Sequence, residues 1–181
     1  MTPFAIAGIQ MHVSASHNNV EAMKHRVELA LARFPWINMI VFSELAAFGP
    51  LVNNHPPSLA PTLDIFQQLA AHHKIWLLPG SMFEKRKDGV FNTAVVINPD
   101  GEIVGRYDKM FPFTPYEANV IGGTEFLVFD VPQVGRFGIS ICYDIWFPET
   151  TRTLSAMGME VLLHPVLTGT TDRDVELSIA R

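Results

Sequence analysis

Cys142 follows the apolar run Gly138-Ile139-Ser140-Ile141 and precedes the turn Tyr143-Asp144-Ile145. A strand-to-helix turn at that point would lift the thiol to an apex. Backbone N–H groups just beyond it would then face a developing oxyanion, as in the nucleophile elbow of serine hydrolases. Against this stands the ordinary role of a free cysteine, a packed structural thiol. Glu44 closes the apolar run Ile40-Val41-Phe42-Ser43. A carboxylate at a strand's C-terminal end projects into the crevice where α/β proteins bind ligands. The nearby Phe42, Leu45 and Phe48 would raise its pKa toward a useful general base. Lys109 follows Arg106-Tyr107-Asp108 and would bring positive charge to a tetrahedral intermediate. Each of these polar residues also has a plain reading as a solvated loop side chain. Together they form a set, because a thiol reacts well near neutral pH when it has both a proton acceptor and a cation. Of the seven histidines, His164 alone stands at a strand end suited to pair with Cys142, with no third residue to orient it.

The elements that must position these groups are legible from periodicity. FAIAGIQM and INMIVFSE are short apolar runs that read as buried strands. Between them Val20, Met23, Val27, Leu31 and Phe34 recur at helical steps, with Asn18 or Asn19 as cap. Strand, helix and strand in that order predict a parallel pair with a right-handed crossover. A second helix is predicted from about Thr62 to His73, followed by IWLLPGSMF as one strand. Turn signals at Lys87-Asp88-Gly89 and Pro99-Asp100-Gly101 then predict an antiparallel meander through FNTAVVIN and EIVGRYD. FLVFDV and RFGISIC are expected to continue that sheet. A helix opening at Pro148 and closing at Gly158, a strand EVLLHP and a helical start at TDRDVELSIAR complete the pattern. Mixed strands flanked by helices indicate α/β or α+β layering. The irregular stretch from Met110 to Thr124 is long for a connection in a compact domain, which points to a functional loop.

Composition narrows the classes. The chain has 181 residues with 13 Lys+Arg against 18 Asp+Glu, a net charge of −5. One domain is expected at that length. No basic cluster marks it as a binder of nucleic acid or anionic membrane. One cysteine excludes an intramolecular disulfide framework and a multi-cysteine zinc site. Charged residues are only 17% of the chain, which suggests surface hidden against another subunit or further chain. The N-terminus lacks the pattern of a secretory signal, and no run is long enough to span a bilayer, so a cytoplasmic location is expected.

Three blocks resemble the nitrilase (carbon–nitrogen hydrolase) superfamily: VFSELAAFG around Glu44, GRYDKMFPF around Lys109 and GISICYDIWFPE around Cys142. The last is long and distinctive. The AIAGIQM strand, the FNTAVVINPDGEIVGRYDK hairpin and GGTEFLVFDVPQVGRFGISICYD support them, so the likeness spans residues 4 to 181. It implies a four-layer α-β-β-α sandwich, a single domain over 1–181 lacking the family's C-terminal part, and a Glu-Lys-Cys triad. On that resemblance Cys142 is the nucleophile and Glu44 the base that returns its proton to the leaving amine. Lys109 stabilises the oxyanion together with the Tyr143 N–H. Glu117 stands where the family has a second glutamate that positions the lysine or substrate. Glu117, Tyr143 and Trp146 are therefore the candidate substrate-binding residues, within a rim drawn from Phe48, Phe111, Phe113 and Tyr116. No metal or organic cofactor is implied.

Tyr143-Asp144 directly after the cysteine is similar to the amidase and carbamoyl-amide branches rather than to true nitrilases. The implied reaction is hydrolysis of a small linear amide or N-carbamoyl amine through a thioester, releasing ammonia, with nitrile hydrolysis as a lesser alternative. Water is the second substrate and a homodimer or larger homo-oligomer the expected assembly. If the substrate carries a distal amine, Glu117 or Asp144 is expected to pair with it. Two other readings stand beside this one: a non-catalytic fragment acting through subunit association, and a Cys142–His164 hydrolase.

Overall fold

The structure is a computed structural model that describes residues 3–168 and Ser178. The helix expected over TDRDVELSIAR lies outside the described residues except at Ser178. Nine strands and three α-helices follow in chain order among the described residues: β1 (Ala5–Ile9), α1 (Val20–Arg33), β2 (Ile37–Phe42), α2 (Ala60–His73), β3 (Trp76–Leu78), β4 (Ser81–Arg86), β5 (Gly89–Ile97), β6 (Ile103–Asp108), β7 (Leu127–Val131), β8 (Gly135–Ile139), α3 (Pro148–Ala156) and β9 (Val161–Leu163). The predicted strand–helix–strand unit is present, with β1 parallel to β2 and β2 parallel to β3. The meander is present as well, with β5 antiparallel to β3, β4 and β6.

Two expectations are corrected. IWLLPGSMF is not one strand: it breaks into β3 and β4 around Pro79-Gly80. Proline cannot donate to a ladder, and Gly80 adopts φ +77 so tightly against Ser43 that an added Cβ would fall on its carbonyl oxygen. The second correction concerns FLVFDV and RFGISIC. They leave the first sheet and form a separate three-stranded sheet, β7-β8-β9, with β8 antiparallel to β7 and parallel to β9. Apolar alternation makes a strand but does not say which sheet receives it.

Strand periodicity sets the layers. On the first sheet Ile40, Phe42, Leu77, Val95 and Ile97 pack with Val20, Met23, Val27 and Phe66 of the helices. The alternate residues Met39, Leu78, Ala94, Val96 and Tyr107 meet Phe129, Val131, Phe137 and Ile139 of the second sheet. Gly138, between Phe137 and Ile139, faces outward, where a Cβ would strike Met159 and approach Leu154 of α3. Helices, sheet, sheet and helix thus stack as an α-β-β-α sandwich. At the entry to α1, Asn18 Oδ1 accepts the Val20 N–H at 2.8 Å. Asn19 is buried and holds the loop instead, accepting from Ser14 N at 3.0 Å.

Candidate active site

The same period of two aims the site. Asn92 has the parity of Ala94 and Val96, and Lys109 that of Tyr107, so both point between the sheets, Lys109 just past β6 and Asn92 beside it within β5. Thr93 and Asp108, register partners one residue away, point to the opposite face. There Arg86 holds Asp108 Oδ1 at 2.8 Å and Thr93 Oγ1 at 3.0 Å, fixing the two strands side by side. Glu44 arrives on the turn after β2. Leu45 there has φ 55, and its N–H donates to Ser81 Oγ at 3.2 Å.

Lys109 is buried between two carboxylates, with Nζ 2.8 Å from Glu44 Oε1 and 2.7 Å from Glu117 Oε2. Glu117 comes from the irregular loop and also accepts the Phe113 N–H at 2.7 Å. The Leu167 N–H reaches Glu44 Oε2 at 3.0 Å. Asn92, which sequence reasoning missed, donates through Nδ2 to Glu44 Oε1 at 3.0 Å and to Glu117 Oε1 at 2.8 Å. Both carboxylates need donors, so the amide turns its NH2 to them. Its Oδ1 is left buried without a partner. An unmet buried acceptor costs on the order of 1–3 kcal/mol, a cost set against two charge-assisted bonds. Only the burial of an asparagine in the strand FNTAVVIN could have signalled this role.

Cys142 follows β8 and opens a 3-10 turn, Cys142–Trp146. Its backbone is left-handed at φ 45, and its N–H donates to Pro165 O at 3.0 Å. A non-glycine residue in that region carries roughly 1 kcal/mol of strain or more, characteristic of functional turns. The thiol donates to Leu167 O at 4.0 Å, the residue whose N–H is bonded to Glu44. Burial pushes the thiol up to about 12, the charge of Glu44 adds to this, and Lys109 opposes it. Burial also lifts Glu44 above the ordinary carboxylate range, against the charge and hydrogen bond of Lys109. Burial alone would lower the Lys109 ammonium, but Glu44 and Glu117 together hold it above its usual value. Burial thus keeps the proton on sulfur and raises the proton affinity of Glu44, with the Lys109 ammonium held between the two glutamates. Such a set can move a proton from sulfur to carboxylate when an electrophile arrives.

The structure thus brings Glu44, Lys109, Glu117 and Cys142 together. His164 instead has Nδ1 at 2.7 Å from Ser140 Oγ. Tyr143 and Trp146 stand outside the buried centre in a run of rings. Tyr143 lies 5.0 Å from Phe113, 6.1 Å from Trp146 and 5.2 Å from Phe147, centroid to centroid. Phe113, Tyr116 and Trp146 are exposed, whereas Phe48 belongs to the helix-side core. Asp144 departs from the expected pairing with a distal amine: it is fully buried and bonded to protein donors. Among the described residues no group of three or more His, Cys, Asp or Glu is arranged to hold a metal.

An α-β-β-α sandwich with a thiol, two glutamates and a lysine converging between its sheets defines the class. The sequence profile of the carbon-nitrogen hydrolases matches residues 5–180, and the chain belongs to that family. It is 32% identical over 125 residues to N-carbamoylputrescine amidase of Solanum tuberosum, covering 63% of this chain and 39% of that protein. It is 30% identical over 139 residues to a formamidase of Bacillus cereus, covering 72% and 42% respectively. The chain thus spans about two-fifths of the length of these curated relatives. A carbon-nitrogen hydrolase from Helicobacter pylori G27 superposes with a TM-score of 0.81 at 28% identity, covering 98% of this chain and 64% of the other. A Nesterenkonia amidase variant shares the fold at TM-score 0.85 and 19% identity, covering 98% and 70%.

Proposed function

We propose that this protein hydrolyses the C–N bond of a small linear amide or N-carbamoyl amine through a cysteine thioester, releasing ammonia. The observation that carries the reading is the buried Lys109, shared by Glu44 and Glu117 beside a thiol on a strained turn. In this reading Cys142 Sγ attacks the carbonyl carbon as its proton passes to Glu44. The C–N bond then breaks, and the same proton leaves on ammonia. Water, deprotonated by Glu44, attacks the thioester and restores the thiol. Two moderate barriers replace one high one. Lys109 faces the oxyanion in both steps, and Glu117 with Asn92 keeps it there.

The pKa directions suit these roles. A base must hold a proton long enough to return it, and burial gives Glu44 that affinity. The relatives' names, N-carbamoylputrescine amidase and formamidase, support small amide or carbamoyl substrates. The exposed rings of Phe113, Tyr116 and Trp146 would then flank the substrate's distal end. The test is ammonia release from a panel of amides, N-carbamoyl amines and nitriles, with Cys142→Ala as control. Cysteine-dependent release supports the reading and the best substrate names the branch. Folded protein that releases nothing from any of them removes it.

A further inference from the structure

Asp144 stands two residues past the thiol and takes no part in the proton path just described. It is fully buried, and its carboxylate accepts three hydrogen bonds from described donors. Oδ2 accepts the Tyr107 hydroxyl at 2.7 Å and the Ile141 N–H at 2.9 Å, and Oδ1 accepts the Phe111 N–H at 2.8 Å. The placement of these donors is informative. Tyr107 and Phe111 lie two residues before and two after Lys109, one within β6 of the first sheet and the other in the loop that follows. Ile141 immediately precedes Cys142, two residues past the end of β8 in the second sheet. One carboxylate therefore ties the lysine's segment to the cysteine's turn across the sandwich.

We propose that Asp144 is a positioning residue that fixes Cys142 relative to Lys109, so that the oxyanion forms within reach of the ammonium; this rests on the hydrolase reading above. Apart from these bonds and the Leu167 N–H on Glu44 Oε2 at 3.0 Å, the two sheets meet through apolar side chains, whose non-directional attraction sets spacing but tolerates sliding. Directional bonds do not. A displacement of about 1 Å between nucleophile and cation is enough to cost on the order of a hundredfold in rate. Asparagine at 144 would keep the shape but turn an NH2 toward at least one donor. Phenylalanine at 107 removes one bond and leaves the other two.

The experiment compares the full chain with Asp144→Asn and Tyr107→Phe. It measures kcat and KM for ammonia release, and the pH profile of Cys142 alkylation by iodoacetamide. Thermal melting establishes that each variant is folded. The expected result is kcat lower by about tenfold or more with KM within about threefold, the larger effect in Asp144→Asn. Alkylation should shift to higher pH in both, because the thiol loses the nearby cation. Folded variants with unchanged kcat and an unchanged alkylation profile would reduce Asp144 to a structural acid. A rise in KM alone would make it a substrate-binding group, also overturning the proposal. If Asp144→Asn does not fold, Tyr107→Phe decides. If the unaltered protein releases no ammonia, the hydrolase reading fails, while the alkylation profiles still test the link between Asp144 and the thiol.

Discussion

At the scale of the residue, the resting centre is defined by who holds the proton. With the thiol pushed up to about 12 by burial and by Glu44, sulfur is protonated at neutral pH, and the proposed mechanism requires the Glu44 carboxylate to take that proton. The rate should therefore fall as pH drops through the pKa of Glu44. That acidic limb should lie above the ordinary glutamate range, because burial has raised the group. A profile of kcat/KM against pH checks this, and an acidic limb at or below the usual carboxylate value would contradict it. Glu44→Gln should lower kcat/KM by roughly 10²–10⁴. The same change removes a negative charge from beside sulfur, so its thiol should alkylate faster than the unaltered protein near pH ~9. Slower alkylation there would mean that Glu44 does not raise the thiol. Asn92→Ala strips one donor from each glutamate. It should destabilise the fold by about 3 kcal/mol, read by denaturant unfolding; a change within error would show that other groups replace its amide.

At the scale of the element, the candidate site depends on a chain turn that glycine alone makes without strain. Gly80 lets the link between β3 and β4 pass Ser43, the neighbour of Glu44, with an added Cβ placed 1.9 Å from the Ser43 oxygen. Gly80→Ala also forces a side chain into φ +77. It should cost more than about 2 kcal/mol and displace Glu44, lowering activity even where the protein remains folded. Melting and turnover at a temperature well below the transition separate the two effects. The helices contribute differently. α1 and α2 cover one face of the first sheet and leave its other face to the second sheet, where Glu44, Lys109 and Cys142 converge.

At the scale of the whole molecule, Glu44 and Lys109 come with one sheet and Cys142 with the other, so the apolar layer between sheets is also a spacer. Phe137 is central to it, 5.9 Å from Phe4 and 5.6 Å from Phe129 by ring centroids. Phe137→Ala should cost about 3–5 kcal/mol. Because the sheets would settle toward the cavity, kcat should fall in protein that is still folded. Normal kcat with a lowered melting temperature would show that the layer stabilises without positioning.

The sequence by itself determined much of this. The strand and helix alternation, the meander and the placement of Glu44, Lys109 and Cys142 at strand ends all follow from short-range periodicity. The blocks around those residues carried the family likeness. What only the tertiary structure decided were relations between distant segments. FLVFDV and RFGISIC form a second sheet because strand partners are chosen by packing across layers, which a period of two does not encode. Asn92 entered the centre because its strand's inward face happens to end between two carboxylates from residues 44 and 117. Asp144 is bonded across the layers rather than free, since two of its three donors, Tyr107 and Phe111, lie 37 and 33 residues away in sequence. Local pattern fixes which way a side chain points; burial and its partners are properties of the assembled layers.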